Sequence, residues 1–401
     1  LWLRRHQRER SVRKGRLMWR HIASNAVTFL IVIGFLLGGV ILWGQNSYTS
    51  PGPLSSAICL EVERGSNFRR VSERLEDRGA VSNGAVFRIG ADYAGKTDEL
   101  KAGNFLVPEG ASMEEIVDIV TRGGASTCGT EVVYRIGVTR TLAEVRELDP
   151  ATERFEELAQ FNPAEEAKPE AYTEVRAQGD TQYRVVVAEG TTVWQVVEAL
   201  KSLDVLEGEI EGLPPEGMLA PDSYEIRPGA DMADLIARMQ RAQEIRLAEA
   251  WANRADGLPL ETPEDLLKLA SIVEKETGVA EERRQVASVF ANRLNQGMRL
   301  QTDPTVIYGV TEGQGVLGRG IRQSELRDDN PWNTYVIDGL PATAIANPGR
   351  ASLEAAADPD ETPYIFFVAD GTGGHAFAVT LAEHNENVAR WREIEAERAN
   401  Q

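Results

Sequence analysis

LLKLASIVEKETGVAEERRQVASVFANRLNQGMRLQTDPTVIY, residues 266–308, is the stretch whose reading decides the fold. Its spacing predicts two short helices joined near Gly278, followed by a polar turn carrying Gln301, Thr302 and Asp303. The first helix opens with Thr262 as N-cap and Pro263 at the first helical position, and Glu264 and Asp265 face the positive end of the dipole. Leu266, Leu269, Ala270 and Val273 then recur at helical spacing. The second helix carries Val286, Val289, Phe290 and Leu294 on one face and stops at Gly297, a C-cap residue.

Glu274-Lys275-Glu276 closes the first helix. At about 100° per residue the two glutamates flank the apolar stripe on opposite sides, and Lys275 points away from it. Only one glutamate therefore faces a given cleft. Ile272, one turn below, extends the apolar face towards Glu276, but the spacing alone leaves Glu274 open, and leaves open that both are solvated helix residues.

Downstream come Val306-Ile307-Tyr308, a glycine-rich loop, and Asn333-Thr334-Tyr335. A helix over 352–357, a strand over 364–368, a turn through Gly371, Gly373 and Gly374 into His375-Ala376-Phe377-Ala378-Val379, and a closing helix over 381–397 follow. Helices first and paired strands after indicate an α+β domain over 261–401. Upstream, an internal repeat is visible. RGSNFRRVSERL from Arg64 and EGTTVWQVVEAL from Glu189 each place a helix after a glycine, with Val71 and Leu75 matching Val196 and Leu200. Gly-Ala-x-Met then opens a second helix in both copies, at Gly110 and at Gly229. This predicts two small β-α modules, 57–128 and 183–260, which either contact a ligand or serve only as structure. Between them lies an acidic insertion, 129–182, in which 131–133 is an extended run and 142–179, rich in Glu, Pro and Ala, reads as a solvated helix and linker.

At the N-terminus, AVTFLIVIGFLLGGVILW (26–43) is an uncharged run near the lower length limit for a membrane span, bracketed by Trp19 and Trp43. Eight basic residues and one acid in the first twenty place a cytoplasmic tail at 1–22, a transmembrane helix at 23–44 and everything after it outside. No small-x-small site follows the run, which favours a retained anchor over a cleaved signal. The chain begins with Leu, and Met18, just before the span, would make a natural start. A Ser-, Pro- and Gly-rich linker covers 45–56. Cys59 and Cys128 both fall outside the membrane, where an oxidising compartment permits a bond between them. With 43 Lys+Arg against 62 Asp+Glu the chain carries a formal charge of −19, and its acidic body argues against a nucleic-acid partner.

LASIVEKET, VASVFANRLNQGMRLQTDPTVIYG, Asn333-Thr334-Tyr335, LPATAIANPGRASLEAAADP, TPYIFFVADGTGGHAF and LAEHN, in that order, resemble the motifs of the YceG-like family of endolytic murein transglycosylases. The resemblance is dense over 188–388 and looser before it. It implies LysM-like N-terminal modules and a C-terminal catalytic domain that cleaves peptidoglycan, single-pass in a bacterial inner membrane, near peptidoglycan synthases. The family's catalytic glutamate corresponds to Glu276. The reaction needs one carboxyl group, with no metal or nucleotide cofactor: it protonates the leaving oxygen, the substrate's N-acetyl group stabilises the sugar cation, and the C6 hydroxyl attacks to give a 1,6-anhydro sugar. Around Glu276, Gln301 and Asn333 are candidates to hold acetamides or hydroxyls, Tyr308 and Tyr335 to pack on a sugar face, and Asp303 to bind substrate. Asp303 before Pro304 also suits a turn, Asn333 a backbone cap, and His375 a hydrogen-bonded structural role. A catalytically silent peptidoglycan-binding scaffold is the alternative function.

Competing chemistries lack their residues. The histidines are His6, His21, His375 and His384, with no His-Glu-x-x-His helix. Neither cysteine has a Cys-x-x-Cys partner, the glycine-rich stretches RGGAS and DGTGGH lack a phosphate-loop lysine, and there is no Gly-x-Ser-x-Gly elbow.

Overall fold

In a computed structural model, residues 28–63, 65–122, 128–177 and 181–399 are described. The basic tail, Met18 and Trp19 lie outside them. The chain divides into two compact units, 1–129 with 148–156, and 130–147 with 157–401.

The first unit begins with helix α1 (Thr28–Thr49), whose mean hydropathy of 2.0 and 22 residues make it long and apolar enough to cross a membrane. Then come β1 (Ile58–Val62), α2 (Phe68–Asp77), α3 (Gly84–Tyr93), β2 (Gly103–Val107) and α4 (Met113–Thr121). Strands β1 and β2 pair antiparallel, Ile58 opposite Val107. Over them pack Val71 and Leu75 of α2, Phe87 of α3, and Ile116 and Val120 of α4, all buried. The helix starts are set locally. Asn67 accepts from Arg70 N at 3.0 Å, and Ser112 and Glu115 form a reciprocal capping box. Cys59 and Cys128 are joined by a disulfide with Cα atoms 5.6 Å apart. The expected linker over 45–56 is partly overturned. The helix runs on to Thr49, and Gly52 N then donates to Gly110 O at 3.0 Å, so the segment is stitched to the module.

The second unit opens with β3 (Thr130–Ile136), β4 (Thr141–Asp149) and β5 (Arg154–Phe161), whose connecting ends over 148–156 group with the first unit, then α5 (Glu170–Ala177) and β6 (Gln182–Val187). Helix α6 (Val193–Lys201), the short strands β7 (Leu206–Glu207), β8 (Ser223–Ile226) and β9 (Ala230–Asp231), and the long α7 (Met232–Ala252) follow. The sheet order is β5-β4-β3-β6-β8, with β3 parallel to β6 and antiparallel to β4, and β6 antiparallel to β8. This corrects the linker reading of 129–182. Charge there masks a period-two pattern in which Ala143 and Val145 point into the core, and β5 is an edge strand whose residues from Arg154 to Glu157 are exposed. The segment supplies three of the five strands, and β3 carries the buried Tyr134 into the core with Val185, Val196 and Leu200. In both repeat copies the matched positions Val71, Leu75, Val196 and Leu200 are buried, and Met113 and Met232 open α4 and α7.

The rest of this unit is built on α8 (Pro263–Glu276), α9 (Arg283–Asn295), α10 (Asp303–Thr311) and α11 (Arg350–Ala357), then β10 (Phe366–Ala369), β11 (His375–Ala378) and α12 (Leu381–Ala399). Thr262 and Asp265 form a capping box with Pro263 inside the first turn of α8. Helix α8 is buried almost all round from Leu266 to Val273, beyond the single stripe its periodicity suggests. Small residues allow this: Ser271 accepts from Ile345 N at 3.0 Å, which brings the segment leading to α11 against the helix. Antiparallel β10 and β11 pair Ala369 with His375.

The turn before α6 locks the sheet module to α8. Gly190 N donates to Asn347 O at 2.9 Å, and Asn347 N returns to Thr191 O at 2.7 Å. Lys275 Nζ donates to Gly190 O at 3.1 Å, and Asn347 Oδ1 accepts from Leu219 N at 2.9 Å. Thr191 and Asn347 are fully buried, so these bonds are shielded from water.

Candidate active site

Helix α8 ends at Glu276, because Thr277 leaves helical geometry with φ −140°. The two glutamates diverge. Glu274 Oε2 accepts from Gly349 N at 2.9 Å, at the start of α11. Glu276 lines a cleft of about 220 Å³ with Gly373, Gly374, His375, Trp391 and Arg398. That volume is small beside the roughly 300–1,000 Å³ of a whole-ligand site, and fits one ring of a longer chain.

Glu276's carboxyl is held above the usual carboxylate range by burial, with the negative charge of Asp303 adding to the effect. It also sits at the negative end of α8, where an anion is disfavoured. Two neighbours oppose these: the Thr302 hydroxyl, which donates to Glu276 Oε1, and His375. Thr302 precedes α10 but its side chain does not cap that helix; the hydroxyl serves the glutamate instead.

The loop that presents Thr302 is fixed from several sides. Thr302 N donates to Thr334 Oγ1 at 3.1 Å, and Gln301 N to Thr334 O at 3.1 Å. Gln301 itself has φ 51°, a left-handed conformation that non-glycine residues adopt at a cost. Arg293, buried, reaches behind the loop and donates to Leu300 O at 2.8 Å and to Ile365 O at 2.7 Å. This ties the loop to the strand that leads to the glycine turn. Replacing Thr302 with Val removes a donor that favours the ionised form of Glu276. The carboxyl then stays protonated to higher pH, so the alkaline limb of the pH–rate profile is expected to move upward. A profile that stays in place or moves down argues against this coupling.

The candidate residues separate into two groups. Asp303 opens α10 rather than closing a turn, is exposed, and accepts from Tyr335 Oη at 2.6 Å. Burial, then the bond to Asp303, pushes the Tyr335 hydroxyl well above its ordinary pKa, so Tyr335 stays a neutral donor. Both residues interact electrostatically with Glu276, and exposed Gln301 adjoins them. Tyr308 and Asn333 face elsewhere. Tyr308 Oη donates to Glu216 at 3.1 Å, and its ring lies 5.6 Å from that of Trp332, beside the sheet module. Asn333 is fully buried; its Nδ2 donates to Glu325 O at 3.1 Å and to Asp328 O at 2.7 Å, and its Oδ1 accepts from Tyr335 N at 3.0 Å. With both amide protons committed to backbone, Asn333 shapes the loop that carries Tyr335.

Three features escape the sequence. The Thr302 hydroxyl is one. The second is Glu282, whose Oε2 lies 2.8 Å from His375 Nδ1 and whose Oε1 accepts from His375 N at 3.0 Å. A sequence separation of 93 hides the pair from any local pattern. The third is the wall of Trp391 and Arg398, contributed by α12, whose spacing reads only as a polar closing helix.

A recessed carboxyl beside a ring-sized cleft, with fixed hydroxyl and imidazole neighbours, is the equipment of an acid–base catalyst that gives a proton to an oxygen and takes one back. The chain belongs to the YceG-like family, whose model matches residues 60–390. An endolytic murein transglycosylase of Streptococcus pneumoniae is 28% identical over 380 residues, covering 92% of this chain and 65% of that relative. One of Bacillus subtilis is 28% identical over 357 residues, covering 88% of this chain and 89% of its own. A crystal structure of a yceG-like protein from Listeria monocytogenes, 26% identical, covers 82% of this chain and 98% of its own, with a TM-score of 0.44. The chain spans about two thirds of the length of the pneumococcal relative, 65%.

Proposed function

We propose that this protein is an endolytic peptidoglycan lytic transglycosylase, cleaving the β-1,4 bond between N-acetylmuramic acid and N-acetylglucosamine and leaving 1,6-anhydro ends. The observation that carries this is Glu276: a carboxyl raised in pKa by burial, opening into the cleft beside His375 and Trp391. Protonated, it delivers its proton to the glycosidic oxygen. The sugar's own acetamide then stabilises the cation. The resulting carboxylate takes the C6 hydroxyl proton as that oxygen closes the anhydro ring. Thr302 steadies the carboxylate in this second half, and Trp391 offers a flat apolar wall to a sugar face. Gln301, Asp303 and Tyr335, beside Glu276, meet the substrate, Asn333 holds the loop that carries Tyr335, and Tyr308 stays with Glu216 on the side of the sheet module.

In this reading α1 anchors the chain in the bacterial inner membrane with the N-terminus cytoplasmic, and the rest works on nascent strands near a peptidoglycan synthase. The two β-α modules act as LysM-like glycan holders. Their support is the shared order of strand, glycine turn and helix, with matched buried positions. The test is mass spectrometry of glycan strands digested by the purified protein. Products one water lighter than hydrolysed ends are expected; intact strands, or reducing ends alone, refute the proposal.

A further inference from the structure

The exit of α1 is not a free tether. The Tyr48 ring packs against Gly90 in α3, so close that a methyl group there would stand 2.1 Å from a ring carbon. Gly110 N donates to Leu54 O at 2.9 Å, beside the Gly52 bond described above. The module therefore sits at a set height relative to the apolar run. Tyr48 is five residues beyond Trp43, or about 7.5 Å along the helix axis. The polar layer on each side of a bilayer core is roughly 5–7 Å deep. The eighteen-residue run also spans only about 27 Å against a core of about 30 Å, which draws the following segment towards the surface.

Around α3, Phe87 and Ala91 face the core and Gly90 borders Tyr48. The next flank outward carries Ile89, 69% exposed, and Tyr93, 95% exposed, one turn apart. Among the described residues of the first unit outside α1, the exposed large hydrophobic side chains are these two and Phe155. An aliphatic and a tyrosine side by side is interfacial chemistry: an apolar body with a hydroxyl for the headgroups. Of the charged neighbours, Arg88 is bound to Ser72 at 2.6 Å and the exposed Asp92 accepts from Thr97 Oγ1 at 3.4 Å, so what the patch offers lipid is apolar burial rather than a cation.

We infer that the α3 flank bearing Ile89 and Tyr93 inserts into the headgroup layer of the bilayer and holds the first unit down on the membrane. This rests on the anchoring role given to α1 above. The contact sets the height of the first module over the membrane surface. Because it works by apolar burial, it persists in high salt.

The experiment uses the full chain in liposomes. The native cysteines are bonded to each other, so Tyr93→Cys and Ile89→Cys each accept a single environment-sensitive fluorophore. Both positions are exposed, so neither change threatens folding. Flotation with the liposomes reports the anchor. Brominated lipids report the patch: both probes should shift to the blue and lose most of their emission, at low and high salt alike. A chain that does not float overturns the anchor and this inference with it. A chain that floats with unquenched probes leaves the anchor standing and overturns the inference alone, as a patch reserved for a protein partner would. Quenching abolished by salt also overturns it.

Discussion

Glu276→Gln is expected to leave the protein folded and to cut strand cleavage by about 10²–10⁴-fold, the share a positioned acid–base group supplies. The amide keeps the shape of the side chain and its carbonyl oxygen still accepts from Thr302 Oγ1. What it cannot do is lose and regain a proton. The stability effect has a defined sign. Burial raises the folded-state pKa of Glu276 above its ordinary value of 4.5, so at neutral pH the unfolded chain is ionised more readily than the folded one. The wild-type residue therefore costs stability above that value, and the cost fades as pH falls below it. The Gln variant should melt at the same or a higher temperature at pH 7, with the difference closing in acid. Glu274→Gln is the matched control. Its carboxylate accepts from Gly349 N outside the cleft, so cleavage should persist. Anhydro-product assays and thermal melts of both variants decide the matter, and equal losses from both would remove Glu276 from its assigned role.

Replacing Cys59 and Cys128 with Ser is expected to destabilise the first unit by about 4 kcal/mol. The bond closes a loop of 69 residues, and in the chain-entropy model a loop of that length restricts the unfolded chain by about that amount. The unit is small and its sheet has only two strands, so little else resists the loss. Denaturant titration with and without a reductant should show a transition moving to lower concentration in the wild type and already displaced in the double variant. A reductant-insensitive wild type contradicts the expectation.

The bounds of α8 were legible because their signals are local: a threonine cap, a proline in the first turn and acids at the dipole's positive end. The strand–glycine turn–strand hairpin over 366–378 was legible for the same reason. The β4–β5 hairpin was not. Its β5 residues are charged because this edge strand is exposed on both faces from Arg154 to Leu158, and composition alone cannot tell such a strand from a linker. At the site, helical geometry put the two glutamates on opposite sides of α8, which is how they lie, one at Gly349 and one in the cleft. Long-range pairing stayed hidden. Nothing near Asn333 in the sequence announces that its amide is consumed by Glu325 and Asp328, and nothing near His375 points to Glu282. Such partners are chosen by tertiary packing, which single-sequence periodicity does not encode.

Lys275 and Glu276 are adjacent, yet one braces the turn at Gly190 while the other faces the cleft. The sheet module and helix α8 cannot be traded separately for foreign counterparts, since any swap must recut both halves of the lock around Thr191 and Asn347. A chimera that keeps the turn at Gly190 and Thr191 with Lys275 and Asn347 as one set is expected to fold, and one that splits the set leaves buried polar groups without partners.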